Sequence, residues 1–163
     1  MKKLILDVCC SGRKFWFNKN NPIAICTDIK GPETFVTGRG TIHERVRHIT
    51  PDMVMDFRNL DFPDESFYLV IFDPPHLKSL GEKSFMAKLY GVLDPHTWRD
   101  DIKRGFSECF RVLKENGTLI FRWNEYDIPL REILKLTPFE PIVGHPSGKN
   151  QKTHWVCFLK TGK

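Results

Sequence analysis

The sequence predicts an α/β domain built on a mostly parallel sheet covered on both faces. Short, nearly continuous apolar runs at 4–9, 23–28 and 68–72 read as buried strands, helical or irregular crossovers separate them, and carboxylates stand where they end. The chain has 163 residues of which 40% are apolar, enough for one core and short for two, so one domain over 1–163 is expected.

Each element has its own signal. Leu4-Ile5-Leu6-Asp7-Val8-Cys9 ends in Cys10-Ser11-Gly12, where glycine punctuates a tight turn, and Lys14-Phe15-Trp16-Phe17 opens a short helix. Ile23-Ala24-Ile25-Cys26-Thr27-Asp28 is a second strand, followed by the Gly31-Pro32 breaker. A glycine-bearing polar stretch leads to a third strand at 53–57, and Pro63-Asp64-Glu65-Ser66 turns the chain into a fourth at 68–72. Trp98, Ile102, Phe106, Cys109, Phe110 and Leu113 keep helical spacing, with Thr97 and Asp100 placed as a variant capping box and Asn116-Gly117 as the stop. A strand at 118–123, a short helix at 130–136 and a last strand at 154–159 follow, with 139–143 as the antiparallel neighbour of the last strand.

Composition narrows the function classes. Lysine and arginine number 25 against 20 acidic residues, a formal charge of +5 that suits a polyanionic partner. The 12% aromatic fraction excludes a disordered or low-complexity chain. No apolar run approaches the ~20 residues of a membrane span, and Asp7 interrupts the stretch after Lys2-Lys3, which reads as a strand and not as a signal peptide. Five cysteines without a C-x-x-C give no pattern for zinc or for a disulfide framework; no metal is expected, and a reducing, cytoplasmic compartment fits.

A parallel sheet of this kind binds ligands at the carboxyl ends of its strands, where Asp7, Asp28, Asp56 and Asp73 fall. A carboxylate after the second strand suits the paired hydroxyls of a ribose; capping of the following turn is the alternative for each of the four.

These segments together resemble the class I methyltransferases that use S-adenosylmethionine, from Leu4 to Lys160. Leu4-Ile5-Leu6-Asp7 with Ser11-Gly12 is similar to the family's first motif, Cys26-Thr27-Asp28 to its ribose-binding acidic end, and Asp56-Phe57-Arg58-Asn59-Leu60 to its adenine-side loop. Pro63 to Phe67 and Cys109 to Leu119 also match the family's style. The first loop departs from it: Cys9, Cys10 and Ser11 stand where several glycines are usual, and Gly12 alone remains. The resemblance implies a Rossmann-like fold with an antiparallel C-terminal strand, S-adenosylmethionine as cofactor, and cofactor contacts from Asp7, Cys9, Ser11, Gly12, Asp28, Asp56 and Phe57.

Asp73-Pro74-Pro75-His76 is similar to the D/N-P-P-aromatic motif of methyltransferases acting on exocyclic or amide nitrogens, which implies catalytic roles for these four residues. An exocyclic amino group is a weak nucleophile because its lone pair is delocalised. The Asp73 carboxylate and the Pro74 carbonyl supply two acceptors that draw the nitrogen toward tetrahedral geometry, and the prolines hold that carbonyl rigidly. Preorganised oxygens then stabilise the positive charge that develops on nitrogen as the methyl arrives in line. His76 stands where an aromatic ring normally stacks, and it can stack, donate a hydrogen bond or take a proton.

The stretch 144–155 is basic and acid-free, so Lys149 and Lys152 are candidate phosphate contacts on a lip, with a solvated hairpin loop as the alternative. Beyond Glu140 there is no acidic side chain, while Lys149, Lys152, Lys160 and Lys163 remain. The segment 80–91, with Lys83, Lys88 and Tyr90, is placed over the crevice as a lid or as a surface helix. Cys9 and Cys10 follow the first strand, where packing suits them better than nucleophilic attack on a pyrimidine.

The expectation is therefore methylation of a nucleobase amino group, adenine N6 or cytosine N4, in DNA or RNA, with a duplex base flipped out. No residues remain for a target-recognition domain, so specificity is low or comes from a separate subunit. The resemblance extends to small methyltransferases of phage and prophage genomes. Methylation of a protein amide or small amine, and a non-catalytic module binding S-adenosylmethionine or nucleic acid, are the other readings.

Overall fold

The computed structural model describes residues 2–81 and 84–162. Seven strands form the main sheet: β1 (Ile5–Asp7), β2 (Ala24–Asp28), β5 (Met53–Val54), β6 (Phe67–Phe72), β7 (Leu113–Asn124), β8 (Val143–Ser147) and β9 (Thr153–Leu159). Their spatial order is β5-β2-β1-β6-β7-β9-β8. The first five in that order run parallel, and β9 and β8 are antiparallel to their neighbours. The chain order reverses between β1 and β6, which opens a crevice beyond their carboxyl ends.

One helix dominates. In α2 (Trp98–Val112) the spaced apolar residues Trp98, Ile102, Phe106, Cys109 and Phe110 are all buried. They meet Leu6, Val8, Phe72, Phe121 and Trp123 from the sheet in a cluster that also takes in Ile133 of α3 (Leu130–Leu134). Gly105 is the point of closest approach: a Cβ there would lie 2.6 Å from the Phe72 ring and 2.7 Å from the Phe57 ring.

Several elements differ from the sequence reading. No helix forms at Lys14 to Phe17: Ser11 and Arg13 adopt φ of 44° and 53°, and the segment proceeds by turns, with the Arg13 and Trp16 amides donating to Cys10 and Arg13 carbonyls. Residues 33–49, read as a polar stretch, form an antiparallel hairpin of β3 (Glu33–Thr37) and β4 (Arg45–Ile49). The third strand shrinks to its first two residues, and the Met55 amide makes the last bond of its ladder with β2, donating to the Asp28 carbonyl.

Thr97 makes no capping hydrogen bond; its hydroxyl donates to Asp101 instead. The helix stops at Val112, before Asn116-Gly117, because the Glu65 and Ser66 amides take up the carbonyls of Arg111 and Val112, and β7 begins at once. The third helix ends at Leu134, two residues short of the expected 136. The neighbour of the last strand is displaced from 139–143 to Val143–Ser147, since Phe139 stacks on Phe110 at 3.7 Å. That displacement shortens the basic loop to the single 3-10 turn Lys149–Gln151 and its flanks.

Among the described residues no helix is long and apolar enough to cross a membrane, and no cluster of three or more His, Cys, Asp or Glu is arranged to hold a metal.

Gly105→Ala is expected to lower the unfolding free energy by about 1–2 kcal/mol in urea titration, because overpacking two locked rings outweighs the gain in helix propensity. An unchanged or higher stability would show that the helix can move off the sheet at this point.

Candidate functional site

Two neighbouring cavities open beyond the carboxyl ends of β1, β2 and β6. The first, about 260 Å³, is lined by Cys9, Ser11, Asp28, Phe57 and Asp73 among others. The second, about 340 Å³, is lined by His76, Leu77, Met86, Tyr90, Arg122, Asn124 and Tyr126. Tyr90 borders both, and the Asp73-Pro74-Pro75-His76 segment lies at their junction, with Asp73 and Pro75 on the first and His76 on the second.

The short helix α1 (Phe85–Tyr90) forms a roof shared by the cavities, Tyr90 lining both and Met86 the second. The Ser11 hydroxyl donates to the Leu89 carbonyl at 3.1 Å, and Lys30 donates to the carbonyls of Ala87 and Lys88, so the first loop and the end of β2 fasten this roof directly. Gly91, at φ +78°, sits against Pro75, where a Cβ would lie 3.2 Å from the proline ring. Lys83 lies outside the described residues.

Asp28 is buried on the wall of the first cavity. Each carboxylate oxygen accepts one backbone amide, Ser11 at 2.9 Å and Lys30 at 3.0 Å, which leaves acceptor capacity for a further pair of donors. Phe57 supplies an apolar wall and packs on Phe72. Asp56 does not line the cavity; it grips Arg58, which does, and the Arg58 guanidinium holds the Asp56 carboxyl below its ordinary value.

Gly12 and Asp7 also stand back from the cavity wall. A Cβ on Gly12 would lie 2.7 Å from the His48 carbonyl oxygen, so this glycine accommodates the hairpin. Asp7 is fully buried, its Oδ2 accepting from Trp16 Nε1 at 2.7 Å while Oδ1 has no partner. Burial, followed by the charges of Asp73 and Asp28, pushes the Asp7 carboxyl up to about 7 against the Trp16 hydrogen bond. Burial likewise pushes the Cys9 thiol up, so it stays a thiol at neutral pH.

Asp73 follows β6 directly and is clasped from two sides. Arg122 Nη1 lies 3.0 Å and 3.1 Å from its two oxygens, and His76 Nε2 lies 3.1 Å from Oδ1 and 3.4 Å from Arg122 Nη1. The Arg122 guanidinium is flanked by the rings of Phe15 and Trp155, at 5.4 Å and 5.8 Å. His76 meets Trp123 edge-on at 5.1 Å, and its Nδ1 is buried without a partner. Pro74, between Asp73 and His76 in sequence, is buried and is not among the residues that line either cavity, and its carbonyl accepts no hydrogen bond among the described residues.

Arg122 was not singled out in the sequence. It alternates with the buried Phe121 and Trp123 on β7, and only the parallel pairing of β6 with β7 brings it to Asp73. On the lip, Lys152 Nζ stands 5.4 Å over the Tyr126 ring at the edge of the second cavity, and Lys149 lies on the exposed 3-10 turn.

Solved structures with the same architecture are found at low sequence identity. A methyltransferase from Methanosarcina mazei described as S-adenosylmethionine-dependent superposes with a TM-score of 0.59 at 13% identity, over 99% of this chain and 94% of that one. The fold is that of the class I methyltransferases. The N-methyltransferase NodS from Bradyrhizobium japonicum shares this methyltransferase fold with a TM-score of 0.58 at 11% identity, over 98% of this chain and 86% of that one. A didemethyltoxoflavin N1-methyltransferase from Burkholderia thailandensis, solved with S-adenosylhomocysteine, gives 0.53 at 12% identity, over 99% and 72%. No protein-family model matches the sequence, and no curated protein matches it.

The buried Asp7 gives a pH-dependent prediction. Its folded value lies above its unfolded value of 3.8, so the folded chain binds the extra proton and stability falls as pH rises from about 4 to about 7. The stability difference between wild type and Asp7→Asn should move by a few kcal/mol across that window and level off above it, measured by urea unfolding from pH 4 to 8. A pH-independent difference would place the Asp7 carboxylate in solvent contact.

Proposed function

We propose that the chain is an S-adenosylmethionine-dependent methyltransferase acting on an exocyclic amino nitrogen of a nucleobase in DNA or RNA. The observation that carries this reading is the meeting of two cavities at Asp73-Pro74-Pro75-His76, one with a ribose-suited carboxylate and the other bordered by two tyrosines. When bound, the cofactor supplies an electrophilic methyl on a sulfonium. The first cavity fits it: Asp28 has spare acceptor capacity for a diol, Phe57 offers an apolar wall for the purine, and Cys9 and Ser11 border the strand end.

At the junction, the Pro74 carbonyl and the Asp73 carboxylate receive the two amino hydrogens. Arg122 holds Asp73 in orientation, and a carboxylate's four acceptor sites leave room for the amino hydrogen beside Arg122 and His76. The methylated nitrogen then carries one proton too many, which passes along its hydrogen bond to the Asp73 carboxylate, and His76, with Nε2 3.1 Å from Asp73 Oδ1, is placed to take it on from there. A flat acceptor between Tyr90 and Tyr126 finds aromatic faces without needing His76 to stack. Lys152 beside Tyr126 suits a phosphate contact, with Lys149 on the same turn.

Asp28→Ala should weaken S-adenosylmethionine binding by roughly 1.5–3 kcal/mol in calorimetry, the worth of charge-assisted hydrogen bonds; unchanged affinity in a folded variant removes Asp28 from the ribose site. Asp73→Ala should keep cofactor affinity while cutting methyl transfer on the order of 100-fold or more. Because His76 is edge-on to Trp123 and turned to Asp73, His76→Phe should also lose activity, on the order of 100-fold. Preserved activity in His76→Phe would return this position to a stacking role.

A further inference from the structure

The β3–β4 hairpin is rooted on the first loop: the Thr50 amide donates to the Ser11 carbonyl, and His48 abuts Gly12. Register pairs Phe35 with Arg47 and Thr37 with Arg45. Thr37 and Ile49, which share the Arg47 face, are buried, so that face is turned to the body of the protein. Arg47 Nε is itself buried and has no hydrogen-bond partner among the described residues.

The same region holds Lys14, whose ammonium stands 4.5 Å over the ring of Tyr90 at the edge of the second cavity. Among the described residues neither Lys14 nor Arg47 forms an ion pair with a carboxylate. Lys14 follows Ser11 and Gly12, the residues on which the hairpin is rooted, and partial burial and then the charges of Arg47 and Arg122 lower it from its ordinary value. Asp73 is the carboxylate that acts on Lys14, and Arg122 already engages it. The excess is therefore positive, with a buried donor that lacks an acceptor.

We propose that Lys14 and Arg47 form a phosphate-binding rim at the mouth of the second cavity, and that the ligand is the sugar-phosphate backbone of a nucleic acid strand. This rests on the nucleobase reading above and deepens it. A free anion or a nucleoside monophosphate presents a single phosphate group. Here cations flank the cavity on both sides, Lys14 over Tyr90 and Lys152 over Tyr126, and both tyrosines line it. A nucleotide within a strand has a phosphate on each side of its sugar and matches that pattern. The hairpin thus gives the chain a contact surface for its substrate.

The test is fluorescence anisotropy on labelled single-stranded oligonucleotides of mixed sequence, DNA and RNA in separate arms, titrated with NaCl in the presence of S-adenosylhomocysteine. Each phosphate contact contributes about 0.7 to the slope of log K against log salt on a single strand. Lys14→Gln with Arg47→Gln should reduce that slope by about 1.4 and leave S-adenosylhomocysteine affinity unchanged, while Lys14→Arg with Arg47→Lys should keep the wild-type slope. Should the paired glutamine variant not fold, Lys14→Gln alone, at an exposed side chain, should give about 0.7.

An unaltered slope overturns the proposal, as does a wild type without salt-dependent binding. Lost S-adenosylhomocysteine affinity with an unaltered slope also overturns it, and assigns the cations to the cofactor's carboxylate. If the slope is unaltered while base methylation proceeds, the rim alone is wrong. If no base is methylated, the reading it rests on fails whatever the slope.

Discussion

Three carboxylates, Asp7, Asp28 and Asp73, are brought to one crevice by the parallel pairing of β1 with β2 and β6, and their mutual repulsion has to be managed before anything can bind there. The fold manages each differently. Asp7, buried behind Trp16, is pushed toward its neutral form; Asp28 is held by two backbone amides; Asp73 is neutralised by Arg122 across from β7. Loss of any one solution raises the cost of the other two.

That division of labour separates two kinds of site within one crevice. Asp28 keeps a partly unsatisfied carboxylate on the first cavity, suited to hydroxyl donors. Asp73 sits at the boundary, where Arg122 and His76 fix its position, and the carbonyl of Pro74 accepts no hydrogen bond among the described residues. Helix α1 is fastened from the first loop and from Lys30 and contributes Tyr90 to both cavities, so the same contacts shape the two. The aromatic flanks of Arg122 link this pair to Phe15 and Trp155, and so to the hairpin's side of the molecule.

The strands that carry the carboxylates were legible because burial on both faces leaves continuous apolar runs, and α2 because its buried face repeats at helical spacing. The turn at 14–17 was not, since apolar residues there serve separate partners: Phe15 packs on Trp155 and Trp16 bonds to Asp7. The hairpin had a signal, β-branched alternation at 34–37 before Gly38 and Gly40, which its charged second strand masked. Arg122 could not be found from local pattern, because its meaning lies in a partner 49 residues away. The placements of Asp7, Gly12 and Asp56 behind the cavity wall likewise depend on Trp16, the hairpin and Arg58, contacts that no spacing within the motif encodes.

The most direct test of the account is transfer of labelled methyl from S-adenosylmethionine by the wild-type protein to a panel of DNA, RNA, protein and metabolite extracts, followed by digestion and separation of the labelled product. The account predicts label in nucleic acid, recovered as a base methylated on its exocyclic amino nitrogen. Label confined to protein or small amines, or binding of S-adenosylmethionine with no transfer to any class, would contradict it.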